Sequence, residues 1–122
     1  MSERIYSYET LYQFAYKVFA KMGTSHEDAH LAATVLLSAD LRGIDSHGIA
    51  RLVAYARLWE VGRINPHPQI RIVHETPSTA VVDGDKGLGL VVAPKAMQIA
   101  MEKAKQVGTG WYSCCMCCQY AQ

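Results

Sequence analysis

The sequence predicts an α+β fold, with a helical N-terminal half followed by strands and one further helix. Three observations carry that expectation. Apolar residues recur at helical spacing as far as Gly62, prolines interrupt the chain at Asn65-Pro66-His67-Pro68, and β-branched runs flank Glu75-Thr76-Pro77.

Leu11, Phe14, Ala15, Val18 and Phe19 follow the i, i+3, i+4 rhythm of a helix whose apolar side faces a core, and Lys21-Met22-Gly23 supplies the stop. The second helix opens at Ser25-His26-Glu27-Asp28, where a serine oxygen can accept from the free amides of the first turn. It carries Leu31, Ala32, Val35, Leu36 and Ala39 to a stop near Gly43. The third is expected to begin at Ser46, with Ser46 or Asp45 as N-cap, and to carry Leu52, Tyr55, Ala56, Leu58 and Trp59 to Gly62. Pro66 and Pro68 lack a backbone donor and push their predecessors to extended geometry, so helix ends there. Gln69-Ile70-Arg71-Ile72-Val73 and Ser78-Thr79-Ala80-Val81-Val82 read as two antiparallel strands. A last helix places Val92, Ala96, Ile99, Ala100 and Val107 toward a core, with Lys95, Glu102, Lys103 and Lys105 toward water. The change of rhythm divides the chain into a helical subdomain (1–70), a second unit (71–110) and a tail of different composition (111–122).

A net charge of +1 with 50% hydrophobic residues points away from nucleic acid, anionic membrane surfaces and disorder. Three short helices raise a helix-turn-helix alternative. Its recognition helix needs an excess of cations, whereas here Arg51 and Arg57 stand among Leu52, Val53, Tyr55, Leu58 and Trp59, with Glu60 opposing them. No window approaches the roughly 18 apolar residues of a membrane span. The start Met1-Ser2-Glu3-Arg4-Ile5-Tyr6 lacks a signal-peptide pattern, so the expected compartment is the cytoplasm, where thiols stay reduced.

No metal site is assigned. His26 and His30 lie one helical turn apart without a third ligand, and read as structural histidines. Cys114, Cys115, Cys117 and Cys118 form overlapping C-x-x-C pairs, but thiols so crowded would strain around one tetrahedral ion. The turn Gly84-Asp85-Lys86-Gly87-Leu88-Gly89 follows a strand and opens a helix. As a dinucleotide fingerprint, Gly87-x-Gly89-x-x-Val92 lacks the third glycine; as a calcium loop it puts Gly87 and Pro94 where oxygen ligands are required. Its glycines read as the means to a tight strand-to-helix turn.

The richest chemistry lies in Asp45-Ser46-His47-Gly48-Ile49-Ala50-Arg51. In a helix starting here, Arg51 would lie one turn beyond His47 on the same face. The positive helix end would disfavour an imidazolium and keep His47 available as a neutral acid–base group. Arg51 offers a planar fork that matches a carboxylate, which suggests a small 2-hydroxy or 2-oxo acid. The same residues also fit a purely structural helix start, and the heptapeptide alone leaves both readings open.

The run Ala39-Asp40-Leu41-Arg42-Gly43-Ile44-Asp45-Ser46-His47-Gly48-Ile49-Ala50-Arg51-Leu52 resembles the signature of the type-2 malate/L-lactate dehydrogenase family, which is unrelated in fold to ordinary lactate dehydrogenase. The resemblance continues through Gly62-Arg63-Ile64-Asn65-Pro66, Glu75-Thr76-Pro77 and Val82-Asp83-Gly84-Asp85-Lys86-Gly87-Leu88-Gly89 to the helix ending at Gly110. It implies an oxidoreductase using NAD or NADP, usually a homodimer. Ser46 and His47 would be catalytic, Arg51 would bind the substrate, and a non-Rossmann α/β cofactor-binding domain would start after the helical subdomain. Cofactor contacts stay unassigned. After Gly110 the motif blocks end; relatives carry an Asn-x-x-His segment whose histidine, a proton acceptor in some members, falls near Gln119. The tail therefore reads as a segment of different origin, and this chain alone as inactive. The opposing reading is a non-catalytic folded fragment or interaction module.

Overall fold

A computed structural model describes residues 4–115. The chain divides into two compact units at Val61/Gly62.

In the first unit, α1 (Tyr8–Lys21) is capped by Ser7, whose Oγ accepts from the Thr10 amide at 3.2 Å. α2 (His26–Leu41) is capped in the same way by Ser25, which accepts from the Asp28 amide at 3.1 Å. Ala15 and Phe19 of α1 are buried, as are Ala29, Ala32, Ala33, Leu36 and Leu37 of α2. Alanines on the inner face of α2 cost little side-chain entropy and allow close packing. At one side of the pair, the Tyr12 hydroxyl meets His30 Nδ1 and the Tyr16 hydroxyl meets His26 Nδ1, each at 2.5 Å, and Tyr16 stacks on His30 with ring centroids 4.4 Å apart. The two histidines are thus tied to α1. Among the described residues no group of three or more metal-ligating side chains forms.

Two expectations for this unit need correction. Phe14 is 57% exposed, because Ala15 and Phe19 form the inward stripe and Phe14 lies one position round the helix. The third helix does not begin at Ser46. Two single turns of 3-10 helix, Asp45–His47 and Ile49–Arg51, come first, and α3 spans Leu52–Glu60 with no side-chain cap from Asp45 or Ser46.

The second unit holds a three-stranded sheet with β2 (Thr79–Asp83) between β1 (Arg71–Glu75) and β3 (Trp111–Cys115), and α4 (Gly89–Val107) joins β2 to β3. β1 runs antiparallel to β2, with Ile72 opposite Val82, His74 opposite Val81 and a bulge between Ile72 and His74. β3 runs parallel to β2, with Tyr112 opposite Ala80 and Cys114 opposite Val82. Ala80, Val82 and Ala96 form a core cluster, with Ile70, Ile99 and Tyr112 packed against it, and Leu88, Val91, Val92 and Ala100 are buried as well. Val107 is 49% exposed, against expectation. The buried residues of α4 are Val91, Val92, Ala96 and Ala100, and none lies in its last turn.

Three further features differ from the sequence reading. Residues 62–70 fall with the second unit, because the Asn65 side chain and the Gln69 amide both donate to Asp85 Oδ2 at 2.9 Å and the Asn65 amide donates to the Lys86 carbonyl. Residues 111–115 are not a bare tail: they alternate exposed and half-buried, and that period of two makes them a strand. Cys117 and Cys118 lie outside the described residues. In the Gly84–Gly89 turn the left-handed positions are Asp85 and Lys86, with φ 47 and 57, closed by the Gly87 amide on the Gly84 carbonyl at 2.8 Å. Aspartate tolerates that conformation when its neighbours bond locally, as the Asp85 amide does to Asp83 Oδ1 at 2.9 Å. Gly87 serves close packing, since a Cβ there would stand 2.8 Å from both Pro68 and Val92.

Candidate active site

The site grows out of the end of α2. Gly43 adopts φ 72 and donates to the Asp40 carbonyl at 3.0 Å, while Ile44 donates to the Ala39 carbonyl at 2.8 Å, the paired bonds of a Schellman motif. Only a residue without a Cβ takes that conformation cheaply, so Gly43 both ends the helix and reverses the chain. His47 N then donates to the Ile44 carbonyl at 3.0 Å and Arg51 N to the Gly48 carbonyl at 2.9 Å, closing two tight turns in succession.

These turns bring Ser46, His47 and Arg51 together without a shared helix face. Ser46 Oγ lies 2.9 Å from His47 Nδ1, and Arg51 Nε donates to the Ser46 carbonyl at 2.7 Å. Ser46 and His47 are exposed and Arg51 is half-buried. The helix-start explanation for His47 is therefore replaced: α3 starts at Leu52, and the partner of the imidazole is a hydroxyl. A hydroxyl donating to Nδ1 leaves the proton on Nε2; with the bond reversed, Nε2 carries the lone pair. The ring is held at Nδ1 by the Ser46 hydroxyl, on an exposed residue. A guanidinium fixed through Nε has its plane set, which suits recognition of a planar anion.

Asp40 is the residue that sequence reasoning missed. Its Oδ2 accepts the Ile49 amide at 2.7 Å, nine positions along the chain. Its carboxylate also stands where a Cβ on Gly48 would be. No helical or strand periodicity links these positions, since the contact exists only after the reversal at Gly43.

Ile49 and Leu52 also line an apolar groove of about 370 Å³ with Phe14, Val18, Val53 and Ala56. Ser46, His47 and Arg51 are not among its walls, so the groove is separate from the polar trio.

A family model described as malate/L-lactate dehydrogenase matches residues 6–121, a span that runs past Gly110. L-sulfolactate dehydrogenase of Methanocaldococcus jannaschii is 53% identical over 93 residues, 76% of this chain and 27% of that protein. Malate dehydrogenase of Pyrococcus abyssi is 49% identical over 102 residues, 84% of this chain and 28% of that protein. Among solved structures, malate dehydrogenase from Pyrococcus horikoshii OT3 superposes with a TM-score of 0.89 at 39% identity, covering 98% of this chain and 37% of that one. The chain thus spans a little over a quarter of the length of these curated relatives.

Proposed function

This chain belongs to the malate/L-lactate dehydrogenase family, and from that premise we propose that it carries the substrate-side motif of an NAD- or NADP-dependent oxidoreductase acting on a small 2-hydroxy or 2-oxo acid. The observation that supports this most is the turn holding Ser46 Oγ 2.9 Å from His47 Nδ1 while Arg51 is tied to the same serine. Arg51 receives the substrate carboxylate. His47 takes the hydroxyl proton as C2 becomes a carbonyl and returns it in the reverse direction, and Ser46 orients the ring for that exchange. The nicotinamide supplies the hydride half of the chemistry.

No residue of this chain is assigned to the cofactor. The turn with a dinucleotide-like pattern does not fit a pyrophosphate: the open side of Gly87 is filled by Pro68 and Val92, and the Asp83 carboxylate accepts the Asp85 amide beside it. The second unit, a small mixed sheet with one crossover helix, is proposed as the start of a cofactor domain of non-Rossmann type. The whole protein is proposed to be a cytoplasmic homodimer. Among the described residues no helix is long and apolar enough to cross a membrane.

By itself the 122-residue chain is expected not to turn over malate or lactate. In a catalytically complete protein bearing this segment, His47→Ala should lower kcat by about 10²–10⁴-fold. Arg51→Lys should chiefly raise KM for the 2-oxo acid, because an ammonium keeps the charge and loses the fork. Two variants that lost only thermal stability, with kcat/KM retained, would favour the alternative of a non-catalytic folded fragment or interaction module.

A further inference from the structure

We propose that Asp40 is the positioning residue of the Ser46–His47–Arg51 turn: its carboxylate, seated against the Gly48 backbone and accepting the Ile49 amide, holds the trio in register. This rests on the reading of the trio as a proton and carboxylate site, and adds the residue that shapes it.

Electrostatics makes the placement informative. Asp40 lies in the last turn of α2, where unpaired carbonyls give the helix its negative end and a carboxylate is disfavoured. Its compensation comes from outside the helix, in the charge-assisted bond from Ile49 at 2.7 Å. That bond crosses the chain reversal and fixes the peptide between Gly48 and Ile49. One side of that peptide lies the Ser46–His47 pair, and on the other lies Arg51, whose amide bonds the Gly48 carbonyl at 2.9 Å and whose Nε bonds the Ser46 carbonyl at 2.7 Å. The two 3-10 turns have no side-chain cap of their own. Isolated turns of this kind hold their shape poorly without such a tie.

Gly48 is the other half of the device. It has φ −93, outside the left-handed region that favours glycine, together with ψ −143. It leaves room for the Asp40 carboxylate, and any Cβ would expel that group.

The test is NMR on the intact chain with no substrate present, so that its failure is distinct from failure of the functional reading. Asp40→Ala should speed exchange of the Ile49 amide by about ten- to hundredfold, the worth of a hydrogen bond to a charged group, while the Leu36 amide in the core of α2 keeps its protection. The same variant should shift the His47 ring nitrogens toward a free-imidazole tautomer mixture and expose the Arg51 Nε–H to exchange. Asp40→Asn keeps an acceptor oxygen in place and should restore all three signals. Gly48→Ala, which displaces the carboxylate without removing it, should reproduce the Asp40→Ala signature and add nothing when combined with it. Unchanged His47 and Arg51 signals in Asp40→Ala would overturn the proposal, as would an Asp40→Asn variant as disrupted as Asp40→Ala, or fully additive effects in the double variant. Should Asp40→Ala lose the Leu36 protection by unfolding, Asp40→Asn and Gly48→Ala decide the matter on the same signals.

Discussion

Arg51 Nε donates to the carbonyl oxygen of Ser46 across 2.7 Å, so the cation of the trio also closes the turn that presents the other two members. A lysine can supply the charge but has no Nε–H at that position. Arg51→Lys and Arg51→Ala should therefore loosen the turn to a similar degree, each costing about 0.5–1.5 kcal/mol, the usual net worth of one hydrogen bond. Denaturant midpoints that place Arg51→Lys at wild-type stability, well above Arg51→Ala, would show that charge rather than geometry matters there.

Tyr12 and Tyr16 bond the Nδ1 atoms of His30 and His26 and stack on the imidazoles, joining α1 to α2 along one side. Tyr16→Phe keeps the stacking and loses the bond, so it should cost about 0.5–1 kcal/mol at this partly exposed position. Tyr16→Ala loses both and should cost more. Equal losses in urea unfolding would assign the whole effect to the hydroxyl.

Acid should weaken the second unit through Asp83. The Asp85 amide bonded to its carboxylate, followed by Arg71 at 3.1 Å, holds its pKa below the ordinary 3.8. A carboxyl depressed in the folded state contributes stability that is present above its unfolded value and lost as pH falls through the folded one. Stability should thus decline as the pH drops below about 4, and Asp83→Asn should flatten that limb. An identical acid limb in the variant, followed by near-ultraviolet dichroism, would assign it to other groups.

Tyr112 packs on the Ala80, Val82 and Ala96 core from β3. Tyr112→Ala should cost about 1–3 kcal/mol, less than a fully buried aromatic because the residue is half-exposed. A segment appended without a structural role would leave the melting curve where it was.

Local signals carried the first two helices, since Gly23, Ser25 and Gly43 act within a few residues of their own positions. They also carried the β1–β2 hairpin, where Thr76 and Thr79 close the connection at 2.7 Å. The start of α3 is not legible locally, because Ser46 has the chemistry of an N-cap but spends its hydroxyl on His47. The β3 strand is not legible in composition, because its cysteines set it apart from the rest of the chain, whereas the half-buried Tyr112 and Cys114 alternate with the exposed Trp111, Ser113 and Cys115. At the site, Ser46, His47 and Arg51 stand within six residues of one another, but their contacts come from two tight turns and not from the helical spacing expected of them. Asp40 was not legible, because its bond to Ile49 exists only once the chain has reversed.

Titration of the isotopically labelled chain with oxamate, a planar 2-oxo acid analogue, tests the central assignment most directly. Saturable shifts centred on Ser46, His47 and Arg51, lost in Arg51→Ala while the Leu36 region of α2 stays folded, are the predicted result. Saturation with shifts confined to the Phe14 and Val53 groove, or none at all in the folded chain, would contradict it.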